Sequence, residues 1–155
     1  MNPIEQDYLV LEDLLVTRIK ESIPELKAVL TAMDLSTVQE QRQLEPAVHV
    51  MYAGDEVGSG SGMQGSTGGA QVAAQIWMVV LVVKFAGADS VRTGKGQRQK
   101  AGRLIARLLQ CLCGWQPAVP MTALRRTNSP KVAYQNGFAY FPFNFKTQHV
   151  LLGKI

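Results

Sequence analysis

The sequence predicts an α+β fold. It reads as one domain over residues 1–155, with a mainly antiparallel or mixed sheet of about four to five strands, two main helices packed on one face and a long Gly/Ser-rich hairpin loop. Three observations carry this reading. Two stretches repeat apolar residues at helical spacing, several others alternate or run apolar at strand length, and one glycine-rich stretch between two strands cannot bury a core.

The first helix opens at Asn2-Pro3, a capping residue followed by proline in the first turn, and carries Tyr8, Leu11, Leu15 and Ile19 before Pro24 stops it. Glu5, Asp7, Glu12 and Asp13 crowd its start while Arg18 and Lys20 come late, the order a helix dipole favours. Residues 25–32 read as a first strand, and the polar residues 36–43 as one or two turns of helix. In residues 46–52, Val48, Val50 and Tyr52 alternate with Ala47, His49 and Met51, a strand entered through Pro46. Residues 71–85 form a longer and more apolar strand.

Between these two strands, residues 54–70 hold seven of the 14 glycines, with three serines and a threonine. Hairpin loops ordinarily have about 2–5 residues, so so long a connection is expected to be flexible and to serve a partner, through Gly58, Ser59, Gly60, Ser61, Gly62, Met63, Gln64 and Gly65.

The second helix follows Gly94 and Gly96. Ala101, Leu104, Ile105, Leu108, Leu109 and Leu112 form its apolar stripe and Gly114 stops it. Its other surface bears Lys95, Arg98, Lys100, Arg103 and Arg107 with no acid at i,i+4, so their repulsion is relieved from outside the helix, and contact with a partner is the favoured source. Residues 121–126 make a short strand. Residues 131–147 make a longer one, with Ala139, Phe141, Phe143 and Phe145 on one face and Tyr140, Pro142 and Asn144 on the other. Pro142 points to an edge strand or a bulge, and Asn136-Gly137 either closes a tight hairpin or kinks one long strand, the kink being favoured.

At 155 residues, 46% hydrophobic and 18% charged, the chain has the profile of an ordinary soluble domain that needs no disulfide or metal staple. The longest apolar run, residues 76–83, is strand length, so no membrane-crossing helix is predicted. Residues 1–7 lack the basic and apolar regions of a secretory signal, so the chain is expected to stay in the cytoplasm. Cys111 and Cys113, the two cysteines, sit as CxC in an apolar helical stretch that suits neither a disulfide nor zinc; they are expected to be reduced and structural.

Catalytic chemistry finds no motif. His49 and His149 are isolated, no GxSxG or HExxH occurs, and Gly94-Lys95-Gly96 lacks the order of a phosphate loop. No enzyme, metal or cofactor is expected. Charge is more telling, because all 12 acidic residues lie between Glu5 and Asp89, and residues 90–155 carry only basic ones, Arg125 and Arg126 among them. The basic part therefore meets nucleic acid, meets the acidic part of a neighbouring copy, or is neutralised within the chain. A small basic protein that binds nucleic acid without sequence preference is accordingly the alternative reading, although no stacking aromatics interleave with the basic residues.

The N-terminal helix, the Pro46-Ala47-Val48-His49-Val50 strand, the strand around Trp77, the helix closing on Leu112-Cys113-Gly114-Trp115 and the terminal Gly137-Phe138-Ala139-Tyr140 strand together resemble phage tail terminator proteins, those of Mu-like contractile-tailed phages in particular. The resemblance spans nearly the whole chain. It implies a structural virion protein of the tail and neck, assembled in the host cytoplasm into a ring that is usually hexameric. Such a ring caps the last tail-tube ring, ends tube and sheath polymerisation and presents the surface that joins tail to head. The implied partners are further copies of the chain, the tail tube protein, the sheath protein, the head-tail connector and neck proteins, and genomic DNA passing through the lumen without specific recognition. No membrane, cofactor or catalytic residue is implied. Within this picture the basic helix offers Arg98, Arg103 and Arg107 to acids of the adjacent subunit or to the lumen.

Overall fold

The computed structural model describes residues 2–31, 44–58, 70–85 and 95–153. Asn2 is a cap as expected, its side chain accepting the Ile4 N–H, but what it opens is a single 3-10 turn, Pro3–Glu5. The α-helix proper, α1, is Leu11–Ser22. Two polar side chains divide what reads as one helix. The Asp7 carboxylate accepts the Leu9 N–H, and the Gln75 amide takes the carbonyl of Tyr8, so both groups are withdrawn from a helical ladder. Leu11, Leu15 and Ile19 are fully buried, the stripe that the spacing foretold.

The strands are β1 (Ala28–Thr31), β2 (Ala47–Val57), β3 (Ala70–Lys84), β4 (Arg125–Thr127), β5 (Ala133–Gln135) and β6 (Phe138–Leu152). They form one mixed sheet in the order β1-β2-β3-β6-β4, with β5 also on β6. Only β1 and β2 run parallel; the other pairings are antiparallel. The second helix, α2, is Lys95–Leu112. Both helices lie on the face that carries Val48 and Val50 of β2, Trp77, Val79 and Leu81 of β3, and Phe143 and Phe145 of β6. Leu104, Leu108 and Leu112 of α2 complete this core, each such side chain contributing roughly 1.5–3 kcal/mol. The opposite face is buried mainly toward the start of β2, at His49, Val80 and Val82, with Ala74 also covered near its end.

Three expectations need correction. The long strand over residues 131–147 is two strands, because Asn136 (φ 53) and Gly137 (φ 80) both take left-handed backbone and close a two-residue hairpin that pairs Gln135 with Phe138. Positive φ at both central positions is the type I′ turn that Asn-Gly favours, so the kink is overturned. Next, residues 54–57 belong to β2 and not to the loop. A bulge between Tyr52 and Asp55, with Gly54 at φ 105, adds one residue to β2 and thereby puts Asp55 on the same face as Tyr52. Finally, the short strand starts only at Arg125. The residues before it follow the far end of α2, Gly114 N–H donating to Leu124 O and Leu124 N–H to Trp115 O. The expected helix at residues 36–43 and loop residues 59–69 lie outside the described residues.

Pro142 sits inside β6 without breaking it. Asn144 and Gln148 direct their N–H groups to the β4 side of the strand, so the missing N–H of Pro142 falls on that side as well, in the gap between the β4 and β5 pairings.

Candidate assembly surface

The apolar stripe of α2 turns its basic residues away from the sheet, yet two of them find acids in the same chain. Lys100 Nζ lies 3.0 Å from Glu45 at the entry to β2, and Arg107 is paired with Glu25 while donating to the Ser22 carbonyl at 2.9 Å. For these two, the relief expected from a partner comes from acids of the first half of the chain. Glu45 shows the effect: partial burial pushes its carboxyl up, but the Lys84 amide and Lys100 outweigh this and hold it below the usual range. Arg103 lies exposed between the two pairs, along a groove of about 330 Å³ that Glu25, Lys100, Leu104 and Arg107 also line. Arg98 is exposed one turn earlier, and Lys95 is the first residue of α2. A cation in the first turn of a helix, as Arg98 is, stands where the dipole is already positive and is not relieved by it.

Arg125 and Arg126 do not join the α2 residues. They lie on β4, at the sheet edge opposite β1, where the Arg126 guanidinium stacks 5.2 Å from the centre of the Phe143 ring. Arg125 lies directly across from Lys146, which is itself paired with Glu56 at 2.5 Å. Of the predicted loop, Gly58 is described and ends the hairpin by donating to Val72 O at 3.3 Å; Ser59, Gly60, Ser61, Gly62, Met63, Gln64 and Gly65 lie outside the described residues.

Apart from the pairs Lys100–Glu45, Arg107–Glu25 and Lys146–Glu56, charge differs along the strand direction. Where β2 ends and β3 begins stand Asp55 and Glu56, and the segment that leads into α1 brings Glu5, Asp7, Glu12 and Asp13 to that end. Where β3 ends stand Lys84, Lys100 and Arg103. Asp55 and Glu56 lie opposite Gln75 and Ala74, so nine to ten residues of β3, ~30–33 Å, separate them from Lys84.

The sequence reading missed a polar cluster at the acidic end. Tyr8 donates its hydroxyl to Asp55 at 2.6 Å, Gln75 donates to the Tyr8 carbonyl at 2.6 Å, and Trp77 donates to Gln75 at 2.9 Å. These residues are distant in sequence, and no local pattern announces them. His49 and His149 are both buried strand residues. Cys111 is buried and Cys113 exposed, both as free thiols, and burial pushes the Cys111 thiol up. Among the described residues no cluster of three or more His, Cys, Asp or Glu could hold a metal ion, and no helix is long and apolar enough to cross a membrane.

Compared with known families, residues 5–153 match the one described as Phage tail terminator protein. No curated protein matches the chain significantly.

Proposed function

The chain belongs to the phage tail terminator family, whose members are structural tail proteins, and from that premise we propose that its copies close into a ring that caps the last ring of the tail tube. The family match, over all but the first four and last two residues, is the observation that carries this reading. In the proposal the ring is hexameric and of the Mu-like, contractile-tail kind. It halts tube and sheath polymerisation and offers its free side to the neck, with the tail tube protein and the connector as partners and DNA passing through its lumen.

The charge layout supports a head-to-tail contact. Identical copies that meet through two different surfaces close a ring when the rotation between them allows it, and opposite charge on those surfaces sets the direction of approach. Among the described residues Arg103, Arg125 and Arg126 have no acid partner within the chain, whereas Lys100 and Arg107 do. Arg125 and Arg126, together on β4, are therefore the side chains proposed to meet Glu12 and Asp13 of the next copy.

Light scattering at low and high salt, paired with negative-stain images, tests the reading. Rings of several 17.0 kDa copies are expected, loosened by salt and lost in Arg125→Glu/Arg126→Glu. Rings that survive this reversal place these cations elsewhere, and reduced DNA retention in such rings assigns them to the lumen. A monomer under all conditions, with or without tail tube, that binds DNA with a steep salt slope would favour the nucleic-acid alternative.

A further inference from the structure

Residues 2–10 lie across the sheet as a strap held by the buried side chain of Ile4 and by a few polar ties. Asn2 donates to the Val150 carbonyl at 3.1 Å, the Gln75 amide donates to the Tyr8 carbonyl, and the Tyr8 hydroxyl donates to Asp55. Directly beneath lies His149, 2% exposed, with the Tyr8 ring edge-on at 5.3 Å between centres. Among the described residues, neither Nδ1 nor Nε2 of His149 has a hydrogen-bond partner.

We propose that His149 makes this strap a proton-operated latch: a proton taken up by the imbedded imidazole drives residues 2–10 off the sheet. A neutral imidazole tolerates such a site at modest cost. An imidazolium brings two N–H donors and a full charge into a buried place where neither ring nitrogen has a hydrogen-bond partner, a far larger penalty. The groups that face it are few. Tyr8 comes from the strap and Asp55 from β2, its β3 partner Ala73 carries no charge, and Lys146 and Glu56 lie on the other face of the sheet. Among the described residues Asp55 is the one anion that acts on it, and its Oδ2 already holds the Tyr8 hydroxyl.

Burial holds the His149 imidazole below its usual range, with Asp55 offsetting part of the effect. A released imidazole therefore binds protons more tightly than the latched one. Latch stability is fully present above the free value of ~6.5 and is lost as pH falls below it. At pH 5.5 a free imidazole is about ten-to-one protonated, which caps the shift in the latch equilibrium at roughly tenfold.

Hydrogen exchange on the full chain, corrected for the intrinsic pH dependence of exchange, is the test. Between pH 7.5 and 5.5 the amides of residues 2–10 are expected to lose about five- to tenfold protection while those of β3 and β6 hold. His149→Phe keeps a ring against Tyr8 and is expected to abolish the pH response; His149→Gln is the second variant should the first not fold. The wild-type His149 resonance adds a reading that needs no variant, and it should titrate below 6.5, in step with the shifts of Tyr8. Equal loss of protection in strap and core, an unchanged acid response in the His149 variants, or titration of His149 at or above 6.5 would each overturn the latch.

Discussion

Replacing Trp77 by phenylalanine asks whether the core and the N-terminal segment are tied by one relay of hydrogen bonds. Trp77 and Gln75 are both fully buried, and the relay runs from the indole through the Gln75 amide to the Tyr8 carbonyl. Trp77→Phe keeps an aromatic side chain but removes the donor and some volume. The smaller ring costs ~1 kcal/mol in lost apolar burial and residual cavity. The Gln75 Oε1 left without its donor costs a further ~1–3 kcal/mol, since no solvent reaches it. The sum, about 2–4 kcal/mol, corresponds to a fall in Tm of about 5–15 °C for a domain of this size. Gln75→Leu alone strands the indole N–H and frees the Tyr8 carbonyl. In the double variant neither Trp77 nor Gln75 leaves a stranded polar atom with the other, so its cost should fall short of the two singles combined by ~1–2 kcal/mol. Urea unfolding followed by far-ultraviolet circular dichroism, at fixed protein concentration, measures all three. Additivity within ~0.3 kcal/mol, or a Trp77→Phe cost below ~1 kcal/mol, would refute the relay.

Other positions make sharper local tests. Gly137→Val places a branched side chain at φ 80 in the I′ turn and should cost ~1–2 kcal/mol in urea unfolding, whereas Asn136→Gly should change stability by less than ~0.5 kcal/mol. The Glu45 carboxyl, held low by Lys84 and Lys100, contributes stability that is present above the unfolded value of 4.5 and is lost as pH falls through the lower folded value. Glu45→Gln should therefore flatten the acid limb of the stability curve below about pH 4.5 while costing no more than ~1 kcal/mol at neutral pH, because the Lys100 pair is partly exposed. A thiol reagent should label Cys113 alone in the native protein and both cysteines after denaturation; equal native labelling of Cys111 would contradict its burial.

What could be read from the residues alone was whatever depended on near neighbours. The α2 stripe from Ala101 to Leu112, the β6 alternation of Ala139, Phe141, Phe143 and Phe145, and the stop at Gly114 are all local patterns, and the structure keeps them. Gly54 misled because glycine serves a bulge as readily as a loop, and only the pairing with β3 decides between them. Asn136-Gly137 carried its own hairpin signal, but the three-residue β5 it creates is too short to show an alternation of its own. The partners of Lys100 and Arg107 sit at Glu45 and Glu25, far earlier in the chain, where counting along a helix cannot find them. The same holds for Tyr8, Asp55 and His149, which only the bulge and the sheet register bring together.

The register that runs from Lys84 opposite Phe138 to Ala70 opposite Leu152 also sets a timetable for synthesis. One edge of β3, the most apolar strand, stays without its neighbour until the ribosome has delivered β6, a wait of roughly 3–14 s at ~5–20 residues per second. During that interval β2 and β3 can pair with each other, but α1 has no finished core to close on, because Phe143 and Phe145 have yet to arrive. The nascent chain therefore carries a sticky, half-built sheet from Lys84 until Leu152, under half of its translation, and how well that edge is shielded until β6 docks bears on its yield in the cell.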